Sequence, residues 1–249
     1  MEDPSKTLFI AGGTDGIGLS LLALELKRAQ YSKVFVLGRD FRKVDQLLSE
    51  NDNTLSPARD RLVKVPCDIT CLGEMERTLS SIGDNSIHDF VSTTGTYHRG
   101  KIADIEVDTS SGAGSDIVAD HFHLNCVSII HLIRLMIPKL VRGASQILIC
   151  TASLATLARS PYSLQSATKT AIKAFIDTLR IELKGDTRVM NIMPPSVDTR
   201  IFAKGGDFRS TDDYQPPSRV ANTMQYMLDC PYDICIPEIL IEQHQFEVA

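Results

Sequence analysis

The chain has 249 residues, 43% of them hydrophobic, and a formal net charge of −5. That suits one large α/β domain with a full-sized core rather than two small ones. The acidic balance and the lack of any basic block or basic–aromatic stripe exclude nucleic acid as an expected partner, and no run approaches the roughly 18 apolar residues that would span a bilayer.

The chain opens "MEDPSKTLFIAGG". A secretory leader would carry positive charge ahead of a longer apolar segment, so a cytoplasmic protein is expected. The first strand, "TLFIA" (7–11), runs into "IAGGTDGIG". Glycines between a strand and a helix (17–29) allow a tight turn and the close approach of a pyrophosphate to backbone N–H groups at the helix N-terminus. Gly12, Thr14, Asp15, Gly16, Ile17 and Gly18 are therefore candidate dinucleotide contacts. The second strand, "KVFVLG" (33–38), ends in "LGRD". Gly38 offers no carboxylate to a ribose 2′-hydroxyl, whereas Arg39 suits a 2′-phosphate. NADP(H) is expected over NAD(H), with Asp15 and Asp40 as opposing charges.

A helix at 41–50 leads to the strand "LVKVPC" (62–67), a helix at 71–81 and the strand "HDFVST" (88–93). Residues 96–115 read as a loop, 116–140 as a long helix, "QILICT" (146–151) as a strand and 162–184 as a helix. "RVMNIM" (188–193) and "DICIPEILI" (233–241) complete seven strands, separated by a polar lid-like loop at 203–218. The strand runs are apolar without alternation, as in strands buried on both faces, and strand–helix repetition implies right-handed βαβ units. The expected fold is a single Rossmann-like, doubly wound α/β domain over residues 1–249 with a mostly parallel sheet of about seven strands. The cysteines (67, 71, 126, 150, 230 and 235) form no CxxC pair and have no histidines at metal spacing. They read as small buried thiols of a reducing compartment, and no metal site is expected.

From residue 7 to 241 the motifs resemble those of the short-chain dehydrogenase/reductase family. The glycine loop is similar to TGxxxGIG, with Ala11 in place of Thr. "PCDIT" resembles the strand end where Asp68 would contact adenine and Ile69 would pack on it. "VSTTG" stands where the family has VNNAG: Thr94 and Gly95 still present backbone to a cofactor, but the Asn bonds that brace the central strand are expected to be lost. Asn125, with Pro138 at the right distance, resembles the family's helix Asn. Ser153 resembles its catalytic Ser, and Val197 and Thr199 keep the register of PGxVxT, with Pro195 replacing Gly. "TKTAIKAF" places Lys169 on the family Lys, which puts Gln165 where the catalytic Tyr belongs. The resemblance implies that Ser polarises a carbonyl, that Lys holds the ribose, and that subunits pair through helices 116–140 and 162–184 into dimers or tetramers.

A carboxamide has no proton to give near neutral pH. Three readings follow. The first is a reductase of a small carbonyl or hydroxyl compound with a relocated proton source. Tyr162 would sit one turn before Gln165 in a helix N-capped by Ser160 with Pro161 at its first position; Tyr97 and His98 also lie near the expected substrate mouth. The second is non-redox work, such as isomerisation, cyclisation or water elimination, on the same scaffold. The third is dinucleotide binding without chemistry.

Overall fold

The computed structural model describes residues 6–49, 56–105 and 116–243. Its strands are β1 (Thr7–Ala11), β2 (Lys33–Gly38), β3 (Leu62–Pro66), β4 (Asp89–Ser92), β5 (Ser145–Cys150), β6 (Thr187–Met193) and β7 (Glu238–Leu240). They form one sheet in the order β3-β2-β1-β4-β5-β6-β7. Every pairing is parallel, so the sheet is wholly rather than mostly parallel.

Successive side chains of a strand point to opposite faces. On β1, Leu8 and Ile10 enter one apolar layer, while Phe9 and Ala11 enter the other. Helices α1 (Gly16–Arg28), α2 (Arg42–Ser49) and α8 (Pro217–Asp229) cover the first face through residues such as Leu22, Val44 and Met224. Helices α3 (Leu72–Leu79), α5 (Ser128–Met136) and α6 (Ser163–Glu182) cover the second through Met75, Leu132 and Ile176. With apolar residues on both faces, each strand reads as a continuous hydrophobic run.

The elements differ from expectation in five places. The long helix expected over 116–140 is broken into α4 (Ile117–Phe122), a π turn (His123–Val127) and α5, because a wide turn at Asn125 lets its amide reach the backbone of Thr96. Helix α6 begins at Ser163, not Ser160: a turn closed from Tyr162 N–H to Arg159 O precedes it, which removes Ser160 as its cap and Pro161 from its first position. The expected loop over 203–218 holds the end of α7 (Ile201–Lys204) and the start of α8. Helix α8 itself was not expected. Strand β7 shrinks from 233–241 to three residues at the sheet edge, and Cys235 and Cys71 are exposed rather than buried. Residues 106–115 of the loop expected at 96–115 lie outside the described residues.

Candidate active site

In a doubly wound sheet, ligands bind beyond the carboxyl ends of the strands, where the strand order reverses. Here that point lies between β1 and β4. The turn after β1 has Gly12 and Gly16 at φ +81° and +54°, the left-handed region that favours glycine. A Cβ on Gly18 would lie 2.3 Å from Gly12 O and 2.4 Å from Thr93 Oγ1. Thr93 uses that space: its hydroxyl lies 3.3 Å from Ala11 O and 3.2 Å from Gly12 O. The Asn bonds are absent, as expected, and Thr93 supplies a side-chain brace in their place. Thr94 turns instead to Ser92, 2.8 Å between hydroxyls.

Asp15 caps α1 by accepting from Gly16 N–H at 3.0 Å. It is paired with Lys43 and with Lys204 (2.8 Å), and Arg200 stands at 3.5 Å. Burial pushes its carboxyl up, but the bonds from Lys204 and Lys43 prevail and hold it at about 2. One carboxylate thus faces three cations at the glycine turn. A glycine cradle at a helix N-terminus beside those cations fits a dinucleotide pyrophosphate. The adenosine side is less open. Thr14 packs over Gly38, where a Cβ would meet its Cγ2 at 2.5 Å, so a carboxylate-bearing side chain has no room there. Arg39 is 75% exposed and pairs with Asp68 at 3.3 Å. Ile69 is buried in the core, which leaves little of it for an adenine ring.

The floor of the site is built by α6 and the π turn. On α6 the buried face reads Gln165, Thr168 and Lys169 above Ile172, Ile176 and Leu179. The apolar residues seat the helix on the sheet, and the polar ones emerge at the carboxyl ends of the strands. Asn125 clamps Thr96 twice, accepting its N–H at 2.8 Å and donating to its carbonyl at 3.2 Å. Gly95 sits between the two elements: a Cβ there would lie 3.1 Å from both Asn125 Oδ1 and Lys169 Nζ. Asn125 (0% exposed), Gln165 (5%) and Lys169 (5%) are thus gathered in one buried cluster. Burial pushes the Lys169 ammonium below its ordinary value, and no carboxylate or carbonyl among the described residues partners it. A buried charge without a partner is expensive, and such groups collect at functional sites.

The cluster has a fourth member that the sequence reading missed. His121, 3% exposed, brings Nε2 to 2.8 Å from Gln165 Oε1 and 2.9 Å from Asn125 Nδ2. Burial, with the charges of Lys169 and His98, lowers its pKa to about 4 despite the bond to Gln165. The ring is neutral at pH 7. In "DHFHLN" three polar residues obscure it; the one signal is that His121 lies four residues before Asn125, one turn below on the same helix face.

Ser153 stands in a single turn after β5, anchored by its N–H to Pro194 O at 2.9 Å, and that turn packs against α6. Val197 is buried and bridged to Gln215, and Thr199 lies over Gly16. Beyond them the segment after α7 folds over the site through Arg209. Its guanidinium donates to the hydroxyls of Tyr162 (3.1 Å), Tyr214 (3.2 Å) and Tyr97 (3.0 Å), and pairs with Asp207. Tyr162 was expected on the helix face of Gln165; it stands instead just outside α6 with its hydroxyl on this lid. Burial alone would raise its phenol, yet the bonds from Arg209 and Tyr97 outweigh that and hold it below its ordinary value. A cavity of about 530 Å³ opens beside the buried cluster, with Thr96, Tyr97, His98, His121, Lys204 and Gly205 in its lining; Gln165, Lys169, Ser153, Tyr162 and Arg209 do not line it. Among the described residues no cluster of His, Cys, Asp and Glu could hold a metal ion, and no helix is long and apolar enough to cross a membrane.

The model of the short chain dehydrogenase family matches residues 6–209. No curated protein matches the chain significantly. Solved structures match over nearly its whole length. An alcohol dehydrogenase from the archaeon Thermococcus sibiricus, complexed with 5-hydroxy-NADP, has a TM-score of 0.80 at 16% identity, covering 97% of this chain and 99% of that one. A short chain dehydrogenase from Burkholderia cenocepacia in complex with NADP scores 0.74 at 19% identity, covering 98% and 90%. One from Sphingobium yanoikuyae in complex with NADPH scores 0.74 at 17% identity, covering 94% and 86%. At these identities the likeness establishes the fold.

Proposed function

The chain belongs to the short chain dehydrogenase family, and on that premise we propose that it is an NADP(H)-dependent oxidoreductase acting on a small carbonyl or hydroxyl compound. When bound, NADP(H) would supply or accept the hydride at the carbonyl carbon. Gly12, Gly16, Gly18 and the N-terminus of α1 would hold its pyrophosphate, Arg39 the 2′-phosphate, and Lys169 the nicotinamide ribose. Ser153 and Gln165 polarise the substrate oxygen by donating hydrogen bonds. The proton comes from the Tyr162 hydroxyl, held by Arg209, and returns to it in the reverse direction.

The observation that carries this reading is the pairing of Tyr162 with Arg209 at 3.1 Å. A phenol beside a permanent cation ionises more easily. The family achieves this with Tyr beside Lys; here Arg209 performs it for a phenol on the lid. Phe122, Val127 and Ile181, exposed along α4, the π turn and α6, support pairing of subunits through those helices. The reading takes the protein as a cytoplasmic homodimer or homotetramer with a small-molecule substrate and no nucleic-acid or membrane partner. Non-redox chemistry is the second reading, favoured by one observation: Gln165, not a phenol, lies on the buried face with Lys169.

The test is NADPH consumption with a panel of ketones and quinones, measured for the native protein, Tyr162→Phe and Gln165→Tyr. In the oxidoreductase reading Tyr162→Phe loses about 10²–10⁴ in rate, the usual worth of a positioned acid, and Gln165→Tyr restores part of that loss in the double variant. NADPH consumption indifferent to both substitutions refutes these roles. Tight NADPH binding with no consumption on any carbonyl supports the non-redox reading.

A further inference from the structure

The contacts around His121 define more than a buried hydrogen bond. The amide of Asn125 cannot be turned over, because Thr96 N–H requires its oxygen and Thr96 C=O its nitrogen. Its second N–H has two acceptors in reach: His121 Nε2 at 2.9 Å and Thr168 Oγ1 at 3.4 Å. Thr168 donates its own proton to Gln165 O at 3.1 Å, which leaves its lone pairs free to accept. Gln165 Oε1 is placed differently. Its one polar neighbour among the described residues is His121 Nε2, at 2.8 Å. Two acceptors repel at that separation, and the oxygen has no proton to give. A proton on Nε2 serves that oxygen and sends the second N–H of Asn125 to Thr168 Oγ1 at 3.4 Å; a bare Nε2 would instead accept from Asn125 at 2.9 Å and leave Oε1 unserved unless the Gln165 amide turned over.

We propose that His121 is a positioning residue for Gln165: its Nε2–H holds Oε1, so the carboxamide turns its NH₂ toward the substrate and presents a hydrogen-bond donor where the family presents a phenol. This rests on the reading of Gln165 as the residue in the tyrosine's place. Gln165 Nε2 has no acceptor among the described residues and is not among the sealed, unpartnered atoms. The site thereby offers a donor to the substrate oxygen, which in a ketone or quinone carbonyl can only accept. The opposite tautomer would reverse the amide and present an acceptor. The neutral ring fits the role, because a fixed N–H imposes one orientation at every pH in the working range.

Two measurements test this. The first is the imidazole nitrogen spectrum of protein labelled with ¹⁵N-histidine, at pH 7, with the His121 signals identified by their loss in His121→Gln. The proposal requires the proton on Nε2 and the lone pair on Nδ1; the reverse overturns it whether or not the protein proves to be a reductase. The second is steady-state reduction of a quinone probe by NADPH. His121→Leu frees the Gln165 amide and should lower kcat and kcat/KM together, by roughly 10–100-fold, somewhat less than removing an oxyanion donor outright. The dissociation constant for NADPH should not change. His121→Gln keeps an N–H within reach of Oε1 and should recover to within a few-fold of native. Equal losses in the two variants mean that the ring merely fills space, which overturns the positioning role. A native protein that binds NADPH but reduces no carbonyl overturns the oxidoreductase reading instead, and the nitrogen spectrum then decides the orientation by itself.

Discussion

Strand β4 carries a buried polar cluster at each end, and the two follow opposite rules. At its start, Asp89 is fully buried and fully served. Tyr31 donates to one oxygen at 2.5 Å, Gln146 to the other at 2.9 Å, and Lys6 lies 2.8 Å away. Gln146 in turn accepts from Arg188, which also donates to the carbonyls of Cys230, Pro231 and Ile234. Beyond its far end, Lys169 has no partner among the described residues, and Gln165 spends its oxygen on His121 while its NH₂ has no acceptor among them. A polar network satisfied at nearly every atom, Arg188 Nε excepted, rigidifies a fold in low dielectric. A cluster with donors left over is prepared to meet something else. The contrast separates structural polarity from chemical polarity within one strand's length.

The largest way to break the contrast is at Asp89. Asp89→Ala leaves the buried Tyr31 hydroxyl without its acceptor, takes one of two acceptors from the Gln146 amide and removes the carboxylate that pairs with the half-buried Lys6; breaking a buried pair by removing one partner costs about 3–5 kcal/mol. Urea unfolding should show that loss in the midpoint. A change under about 1 kcal/mol would mean that the network is better solvated than its burial implies.

Glu25 sharpens the comparison, because it sits among the structural groups yet is not served. It is 1% exposed, no donor among the described residues bonds its oxygens, and Arg28 stays at 3.8 Å. Burial, helped by the charges of Asp229 and Asp89, raises its carboxyl to about 7 against the opposing pull of Arg28 and Lys6. The folded state therefore holds this proton more tightly than the unfolded chain does. Stability is greatest below about pH 4.5, declines as pH rises toward 7, and is level above that; the full loss is about 3 kcal/mol. Glu25→Met should remove that slope, so the variant gains on the native protein at pH 8 and not at pH 4. Equal gains at both values would assign the effect to packing alone.

The strands and the glycine turn were legible because buried parallel strands and βα turns leave local signatures. Helix α8 was not, although Val220, Ala221, Met224, Met227 and Leu228 lie on one face: "YQPPS" ahead of it reads as continuing loop. The break at Asn125 and the brace at Thr93 escaped because both depend on where the backbone of a distant segment lies. His121 and Arg209 escaped for the same reason. Arg209 meets Tyr97 and Tyr162 from more than 40 residues away, and no spacing rule reaches across such a gap.

The smallest effect is the most diagnostic of the unserved cluster. Lys169→Met keeps the aliphatic stem and removes a charge that burial penalises. Because the folded-state ammonium is held below its ordinary value, that penalty is present at neutral pH and is relieved only as pH rises toward the unfolded value. The substitution should therefore leave stability unchanged or raise it by about 1 kcal/mol, the range of other stabilising core changes. NADPH affinity should move the other way, falling at least about tenfold, or 1.4 kcal/mol, by calorimetry. Opposite signs in the two measurements are what a group held for a ligand produces. If stability falls and affinity is unchanged, Lys169 belongs with Asp89 among the struts of the fold, and the alignment of Gln165 with the family tyrosine goes with it.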